Sequence, residues 1–256
     1  MMIRQHSFFA YKLYYQPIVD ISHRRLIGVE ALLRVKDLDG EFISPFSVDC
    51  GRRFISRIEN DDVFFAEFLC HFENDIKLAQ DTLACVFLNV SIGNIFDGTF
   101  LKWLKNSKLK PEKLCIELVE RRHIEWNNEN VFHKFRRGLI EIKGMGCKLA
   151  LDDFDPARDA ELLDFLQHDE FIDYIKIEYD CYMKYKSSDL YYWTHTLGLD
   201  CEKIIIEKIE CEMFIKALQD TECSKNNSKF QGFFFTEALE YNKCIAWISN
   251  YKSLKF

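Results

Sequence analysis

The chain has 256 residues, of which 48% are hydrophobic and 15% aromatic, and its formal net charge at pH 7 is −7. The negative charge argues against binding of duplex DNA or of an anionic membrane surface by bulk electrostatic attraction. Two domains would fit this length, but one barrel of this size is equally ordinary, and no linker or low-complexity segment divides the chain. We therefore predict a single domain over residues 1–256.

Ten cysteines are scattered along the chain and are never closer together than ten residues. This scatter lacks the spacing of zinc ligands and predicts reduced thiols, several of them buried. The first residues do not resemble a secretory leader, and no apolar run approaches the length of a membrane span. We expect a soluble, cytoplasmic protein.

Apolar periodicity predicts the secondary structure in chain order. Strands at 11–20 and 26–35, joined by a polar turn, predict an antiparallel hairpin. The further predicted strands are 84–91, 114–120, 147–154, 174–179, 203–209 and 230–235. The predicted helices are 54–72, 96–104, 131–142, 160–166, 190–199, 211–218 and 238–251. From the third strand onward, a helix separates each strand from the next.

This alternation of eight strands with helices predicts the fold class. Several of the strands are apolar nearly throughout, as strands that are covered on both faces must be. Repeated βα units of this number most often close as a barrel. We predict an α/β fold, a TIM-like (β/α)8 barrel with an antiparallel first strand.

Polar residues of ligand type stand at one end of the predicted strands. The clearest case is Asp152 with Asp153, two adjacent carboxylates that directly follow a buried apolar run. The other strands carry, in order, Glu30, Asn89, Glu117, Lys176, Glu207 and Gln231. In a βα barrel the carboxyl ends of the strands face one pocket, so these residues predict a shared site. Oxygen ligands without histidine or thiol suit Mg²⁺ or Mn²⁺ and disfavour zinc.

Each of these residues, taken alone, also has an ordinary interpretation. A glutamate at a strand end is usually solvated, Asn89 could cap a turn, and Asp152 with Asp153 could begin the next helix. Lys176 could be a structural ion-pair partner. The recurrence of one such residue per strand at the same end favours a site that holds two cations about 3.5–4 Å apart and clamps a phosphodiester. Lys176 would hold or deprotonate the attacking water.

Short blocks along the chain resemble the EAL-domain phosphodiesterases, a family that hydrolyses the bacterial second messenger cyclic di-GMP. Residues 30–32, Glu-Ala-Leu, followed by Leu-Arg at 33–34, are similar to the signature of that family, and 15–20 resembles its opening strand. Further matching blocks are 89–91, 117–120, 152–154, 175–178, 207 and 231–233. The resemblance covers roughly residues 11–240, with the helix 238–251 at its end.

The resemblance implies a site, a reaction and an assembly. The implied ligands of two divalent cations, Mg²⁺ or Mn²⁺, are Glu30, Asn89, Glu117, Asp152, Asp153 and Glu207. Lys176, Glu30 and Gln231 are the implied catalytic residues, and cyclic di-GMP would be cleaved once to linear pGpG. Arg34 and Gln16 are the expected substrate contacts, since Arg34 lies an even number of residues past Glu30 and shares its face. A homodimer through the barrel rim is also implied.

Two departures from the family pattern bear on activity. Residues 155–160 read Asp-Pro-Ala-Arg-Asp-Ala where the family usually has a Gly-Thr/Ala-Gly-Tyr-Ser-Ser type loop. Asp155 before Pro156 predicts that a helix begins at once, and it adds a negative charge near the site. That loop is normally anchored by a glutamate that matches Glu120. Lys208 follows Glu207 where the family usually has glycine.

Two hypotheses of different classes follow. The first is a metal-dependent cyclic di-GMP phosphodiesterase, favoured by the complete ligand set, whose activity the altered loop makes weak. The second is a catalytically weak or silent regulator that binds another protein, with or without the nucleotide. An enolase-type lyase, which also uses Mg²⁺ and lysine in a barrel, is a distant third alternative.

Overall fold

The computed structural model describes residues 4–6, 9–96, 98–119, 129–186, 200–219 and 229–253. The strands are β1 (Arg4–His6), β2 (Phe9–Asp20), β3 (Arg25–Lys36), β4 (Phe42–Ile43), β5 (Cys85–Ser91), β6 (Leu114–Val119), β7 (Lys148–Leu151), β8 (Tyr174–Glu178), β9 (Ile204–Glu207) and β10 (Lys229–Phe230). The helices are α1 (Asp49–Asn60), α2 (Asp62–Thr82), α3 (Ile92–Phe96), α4 (Thr99–Asn106), α5 (Glu129–Gly144), α6 (Pro156–His168), α7 (Tyr179–Lys186), α8 (Glu212–Gln219) and α9 (Tyr241–Ser253).

Eight of these strands close into a barrel. Around the ring the order is β2, β10, β9, β8, β7, β6, β5, β3 and again β2. Strand β2 is antiparallel to both of its neighbours, whereas all other neighbouring pairs in the ring are parallel. The predicted (β/α)8 barrel with an antiparallel first strand is therefore confirmed.

The antiparallel hairpin of β2 and β3 decides which residue of β2 reaches the site. Gln16 lies directly opposite Glu30 in the hairpin, and on the parallel side Asn89 lies opposite Glu117. Because β2 runs against the other strands, a residue from its middle meets the level at which the parallel strands end. The two pairs are joined across β3 and β5, because Asn89 Nδ2 donates a hydrogen bond to Glu30 Oε1 at 2.9 Å.

The other end of the barrel interior is filled by apolar side chains, which we call the lower layer. Its members are the fully buried residues Ile18, Phe87, Cys115, Ala150 and Ile205. Gly28 leaves room for this layer, since a Cβ atom there would lie 2.5 Å from Phe87 Cε2. A filled interior leaves the carboxyl end of the barrel as the place for a ligand.

The helices cover the outside of the barrel and enclose the larger part of the core. Phe65, Leu69 and Phe72 of α2 are buried against it. Phe132 of α5 and Phe165 of α6 pack with ring centroids 4.7 Å apart. In the described part of the chain, no helix is both long enough and apolar enough to cross a membrane. The eight cysteines whose side chains are described there are all unbridged.

Two predicted helices are wrong in extent. The helix predicted over 54–72 is two helices, α1 and α2, since the Asp61 side chain accepts a hydrogen bond from the backbone N–H of Phe64 at 2.9 Å and starts a new helix. The helix predicted over 96–104 corresponds to α4, which starts only at Thr99, after Gly98 with a φ of 80°, and Phe96 is instead the last residue of α3.

Other boundaries also differ from the prediction. The strand predicted over 147–154 ends at Leu151, and the one predicted over 230–235 ends at Phe230, after which residues 232–235 form turns. Helix α7 was missed because its apolar residues are not at a clear helical spacing. The predicted helix 190–199 lies outside the described residues, as do both ends of the predicted domain 1–256.

Candidate active site at the carboxyl end of the barrel

The site lies where the parallel strands end, and the side chain of Lys176 is at its centre. Lys176 is buried, with 1% of its surface exposed. From its Nζ atom the distances are 3.0 Å to Glu30 Oε2, 2.7 Å to Glu117 Oε1, 2.9 Å to Asp152 Oδ1 and 2.8 Å to Glu207 Oε1. The predicted lysine and four of the five predicted acids therefore form one cluster, although each belongs to a different strand or, in the case of Asp152, directly follows one.

Two amide side chains hold Glu30 from the other side. Asn89 Nδ2 donates to Glu30 Oε1 at 2.9 Å, and Gln231 Nε2 donates to Glu30 Oε2 at 2.7 Å. Gln231 Nε2 also donates to Gln16 Oε1 at 3.1 Å, and Gln16 Nε2 donates to the carbonyl oxygen of Thr236 at 3.1 Å. Gln16 thus lies beside the cluster and orients Gln231, while its contact with substrate stays a prediction.

Asp152, Asp153 and Glu207 form the outer part of the site. One carboxylate oxygen of each lies within 4.8 Å of the others, a spacing at which a metal ion can be held. Asp153 is exposed, and its φ of 45° lies in the left-handed region, which aspartate adopts more readily than most residues. This turn brings two consecutive carboxylates together, because in an extended strand they would point to opposite faces.

The charges in the cluster shift one another's pKa values. Burial lowers the pKa of the Lys176 ammonium, but the surrounding carboxylates outweigh burial and hold that pKa well above its usual value. Burial raises the pKa of Glu117 well above its ordinary range and that of Glu207 to about 8. Burial also acts to raise the pKa of Glu30, but the Lys176 charge and two amide hydrogen bonds outweigh it and leave the pKa lowered. Lys176 is therefore a protonated hydrogen-bond donor in this arrangement.

Both the charge balance and the unpaired oxygens of the site fit divalent cations. The five carboxylates face one lysine, so four negative charges stay uncompensated when all acids are ionised, and two divalent cations carry four positive charges. Among the described residues, three buried oxygens of the site have neither a hydrogen-bond partner nor an ion-pair contact with Lys176, namely Glu117 Oε2, Asn89 Oδ1 and Gln231 Oε1. Buried oxygens without partners are costly, and such oxygens are the ligands that Mg²⁺ takes. The donor set fits a two-cation site.

The cluster opens into a cavity of about 470 Å³, within the size range of small-molecule sites. Arg34 lies in its wall, partly buried, with Nη1 donating to the carbonyl oxygen of Leu33 at 2.9 Å. Glu30 lines the same cavity. Apolar side chains such as Ile55 and Phe68 line another part. The cavity therefore suits a ligand that combines an anionic group with an apolar body.

Arg158 also lines this cavity and was missed as a site residue. A signal was present in the sequence, because a basic residue in the first turn of a helix opposes the helix dipole and therefore needs a reason to be there. In the structure that reason is a neighbouring acid, Asp159, whose carboxylate lies 2.8 Å from Arg158 Nη2.

The segment 155–160, which departs from the family pattern, forms the beginning of a helix. Helix α6 begins at Pro156, as predicted from Asp155 and proline. The Asp155 carboxylate accepts from the N–H of Ala157 at 2.9 Å and from the Tyr185 hydroxyl at 3.1 Å. Asp155 is therefore used inside the turn, and it does not belong to the group of acids that could hold a metal ion.

The sequence also singled out Lys208, which stands where the family usually has glycine, and Glu120, the expected loop anchor. Lys208 has a φ of 56°, a left-handed conformation that explains why glycine suits this position, and its ammonium pairs with Glu178 at the rim. The Glu207 carboxylate instead pairs with Lys176. Glu120, the expected loop anchor, lies outside the described residues.

The sequence is similar to those of curated relatives named probable cyclic di-GMP phosphodiesterases. The probable cyclic di-GMP phosphodiesterase PdeI of Escherichia coli K12 is 33% identical over 153 residues, which cover 56% of this chain and 18% of that protein. PdeG of the same organism, also named a probable cyclic di-GMP phosphodiesterase, is 25% identical over 244 residues and covers 89% of this chain and 44% of that protein. The chain thus spans less than half the length of these relatives.

Solved structures show the same fold, and a family model matches the sequence. An EAL domain protein from Listeria monocytogenes superimposes with a TM-score of 0.68 and 21% identity, covering 94% of this chain and 93% of that one. The manganese and cyclic di-GMP complex of Klebsiella pneumoniae BlrP1 superimposes with a TM-score of 0.57 and 23% identity. The match covers 90% of this chain and 56% of that one. The family model described as EAL domain matches residues 4–192. Since this match extends over well more than half of the chain, the protein belongs to the EAL domain family.

Proposed function

We propose that this protein hydrolyses cyclic di-GMP to linear pGpG and needs Mg²⁺ or Mn²⁺ to do so. The observation that carries the proposal is the cluster of four carboxylates around Lys176, with buried oxygens that lack partners beside it. The names of the curated relatives and the manganese and cyclic di-GMP complex of BlrP1 support the choice of substrate and metal. The cavity walls, with an arginine beside apolar side chains, suit a nucleotide.

The cations would be held by the oxygen ligands of the site. Those ligands are Glu30, Asn89, Glu117, Asp152, Asp153 and Glu207. When bound, the cations supply charge neutralisation at the phosphate and lower the pKa of water. The protein's own contribution is to hold the ligand oxygens in a buried, rigid arrangement, so that little reorganisation accompanies the reaction.

Lys176 would act on the attacking water, and Arg34 would act on the phosphate. Lys176, whose ammonium contacts Glu30 and Glu117, would donate a hydrogen bond to the attacking water and so orient it. Its raised pKa favours this positioning role over proton abstraction. Arg34, from the cavity wall, would bind a phosphate oxygen of the substrate. Gln231, fixed between Gln16 and Glu30, would keep the ligand Glu30 in place.

We further propose that this protein hydrolyses cyclic di-GMP more slowly than a typical member of the EAL domain family. The segment 155–160 is helical from Pro156 onward and tied by Asp155 to Ala157 and Tyr185, so it cannot adapt as a flexible loop would. The same observation favours the second candidate function, a regulator that binds cyclic di-GMP or a protein without efficient turnover. Nucleotide binding with no product after long incubation would favour that candidate.

The deciding experiment is incubation of the protein with cyclic di-GMP and Mg²⁺ or Mn²⁺, with the products separated by chromatography. We expect pGpG to appear with either metal and not with a chelator. Glu207→Gln should abolish product formation, whereas Glu141→Gln, which changes a carboxylate in an ion pair with Lys105 on the helical surface, should not. Absence of pGpG from the native protein at saturating metal would contradict the proposal.

Dimerisation through the barrel rim stays a prediction, as does a protein partner. Light scattering of the purified protein, with and without cyclic di-GMP, measures the first directly. A mass of one chain under both conditions would contradict the predicted homodimer.

A further inference from the structure

The first turn of α6 reaches back to the turn at Asp153. Arg158 Nη2 donates to the carbonyl oxygen of Asp153. Arg158 also pairs with Asp159, from Nε to Oδ1 at 3.0 Å and from Nη2 to Oδ2 at 2.8 Å. Asp159 Oδ2 in turn accepts from the backbone N–H of Asp155 at 2.9 Å. The pair of Arg158 and Asp159, which we call the clasp, therefore holds the chain at residues 153 and 155.

The acidic half of the clasp is buried, whereas the basic half is exposed. The Asp159 side chain is 3% exposed, and that of Arg158 is 41% exposed at the edge of the cavity. A buried carboxylate needs a well-placed cation and further donors, and Asp159 has both in Arg158 and the Asp155 N–H. The bidentate geometry fixes the guanidinium plane as well as its position.

The residue that the clasp holds is one whose conformation needs support. Asp153 has a φ of 45°, and a non-glycine residue keeps a left-handed conformation only where the surroundings favour it. That conformation sets the Asp153 carboxylate beside those of Asp152 and Glu207 in the outer part of the site. An extended Asp153 would point its carboxylate to the other face of the strand.

We propose that Arg158 and Asp159 are positioning residues for the outer cation of this site. By holding the chain on both sides of the turn, they keep Asp153 in reach of the ion. This inference rests on the proposed function, since it takes a divalent cation as the ligand of Asp153. Neighbouring groups that orient metal ligands typically change metal affinity or activity about 10–100-fold when they are removed.

The test is a Mn²⁺ titration of the purified full chain, read by thermal denaturation and by isothermal calorimetry, without nucleotide. Arg158→Ala removes the clasp. Arg158→Lys keeps the positive charge but lacks the planar fork that reaches Asp159 and the Asp153 carbonyl together. The matched control is Arg136→Ala, because Arg136 makes a similar two-pronged pair with Asp169 at the opposite end of α6, at 2.6 and 3.2 Å.

We expect Arg158→Ala to raise the Mn²⁺ concentration for half-saturation about 10-fold or more, and Arg158→Lys to raise it by a smaller factor. Arg136→Ala should lower the melting temperature without changing that concentration. Equal metal affinity in the native protein and both Arg158 variants would mean that the clasp is only structural. A raised KM for cyclic di-GMP, measured separately by product chromatography, with unchanged metal affinity in the titration would instead make Arg158 a substrate contact, and that would also overturn the proposal.

Failure of the proposed function is distinguishable from failure of this inference. If the native protein binds Mn²⁺ but forms no pGpG, the phosphodiesterase assignment is wrong and the titration still decides the role of the clasp. If the native protein is not stabilised by Mn²⁺ at all, the inference is overturned. Should Arg158→Ala not fold, Asp159→Asn tests the same contacts. Both carboxylate oxygens of Asp159 accept hydrogen bonds, from Arg158 and from the Asp155 N–H, whereas an asparagine has one uncharged acceptor oxygen.

Discussion

The barrel interior has two layers that lie only two residues apart along the same strands and differ completely in character. The lower layer consists of Ile18, Phe87, Cys115, Ala150 and Ile205. Two positions further along four of those strands, the upper layer carries Asn89, Glu117, Asp152 and Glu207. Side chains of a strand alternate between its two faces, so positions i and i+2 share the interior and stand one above the other.

The two layers contribute to the protein in opposite ways. The lower layer is fully buried, apolar and satisfied, and it stabilises the barrel by removing apolar surface from water. In the upper layer the carboxylates outnumber the positively charged side chains, and some buried oxygens have no hydrogen-bond partner among the described residues. This layer therefore lowers the stability of the protein unless a ligand is bound. The polar groups of the upper layer thus lie directly above a fully buried apolar layer, which limits their movement.

The largest expected effect is on activity, from a change in the upper layer. Glu30→Ala should reduce the proposed metal-dependent hydrolysis of cyclic di-GMP to background, because it removes a proposed cation ligand that also contacts Lys176, Asn89 and Gln231. Product chromatography measures this directly. Full turnover in the variant would show that the assignment of Glu30 as a metal ligand is wrong.

A matching change in the lower layer should affect stability and leave the chemistry intact. Phe87→Ala should lower the free energy of unfolding by about 3–5 kcal/mol, since the ring is fully buried against Tyr174 and the cavity left behind has nothing to fill it. Urea denaturation gives the loss, and the hydrolysis rate per folded molecule should not change. A variant as stable as the native protein would contradict the tight packing of this layer.

Replacing the central lysine separates its catalytic from its structural role. Lys176→Ala should lower turnover about 100-fold or more, the usual effect of removing one preorganised hydrogen-bond donor from an active site, while nucleotide binding persists. Initial rates and calorimetric binding are the measurements. If circular dichroism shows that the variant is unfolded, Lys176 is instead needed as the ion-pair partner of the buried acids.

The uncompensated acids of the upper layer should make the metal-free protein sensitive to pH. Burial raises the pKa of Glu207 from 4.5 to about 8, so between these values the folded state binds a proton that the unfolded state has released. Stability in the presence of a chelator should therefore fall as pH rises through this window. Thermal melts across the range test this, and Glu207→Gln should flatten the slope whereas Glu141→Gln should not. A slope that is unchanged in Glu207→Gln would remove Glu207 as its cause.

The smallest expected effect concerns the rim above both layers. Lys208→Gly should stabilise the protein by no more than about 1 kcal/mol, because it relieves a left-handed φ of 56° but loses the exposed pair with Glu178. Lys208→Ala is the control, since it loses the same pair and keeps the strain. Equal stability of the two variants would show that the backbone conformation costs nothing here.

Much of this fold was visible in local patterns. Apolar periodicity predicted the alternation of strands and helices, and the polar residues that close the apolar runs, such as Asn89, Glu117 and Asp152, predicted the end of the barrel at which the acids lie. Boundaries were less predictable. Whether Asp61 ends a helix or continues it depends on one side-chain hydrogen bond to Phe64, which helical periodicity does not register.

By itself the sequence determined which kinds of atoms the site contains, because alternation along each strand decides which residues face the interior. Only the tertiary structure decided that four carboxylates would share the single ammonium of Lys176, since closure of the ring brings together residues that the chain keeps far apart. The same holds for the contact of Arg158 with the Asp153 carbonyl. Such contacts depend on where a helix docks and on which rotamers its side chains adopt, and no period in the sequence encodes either.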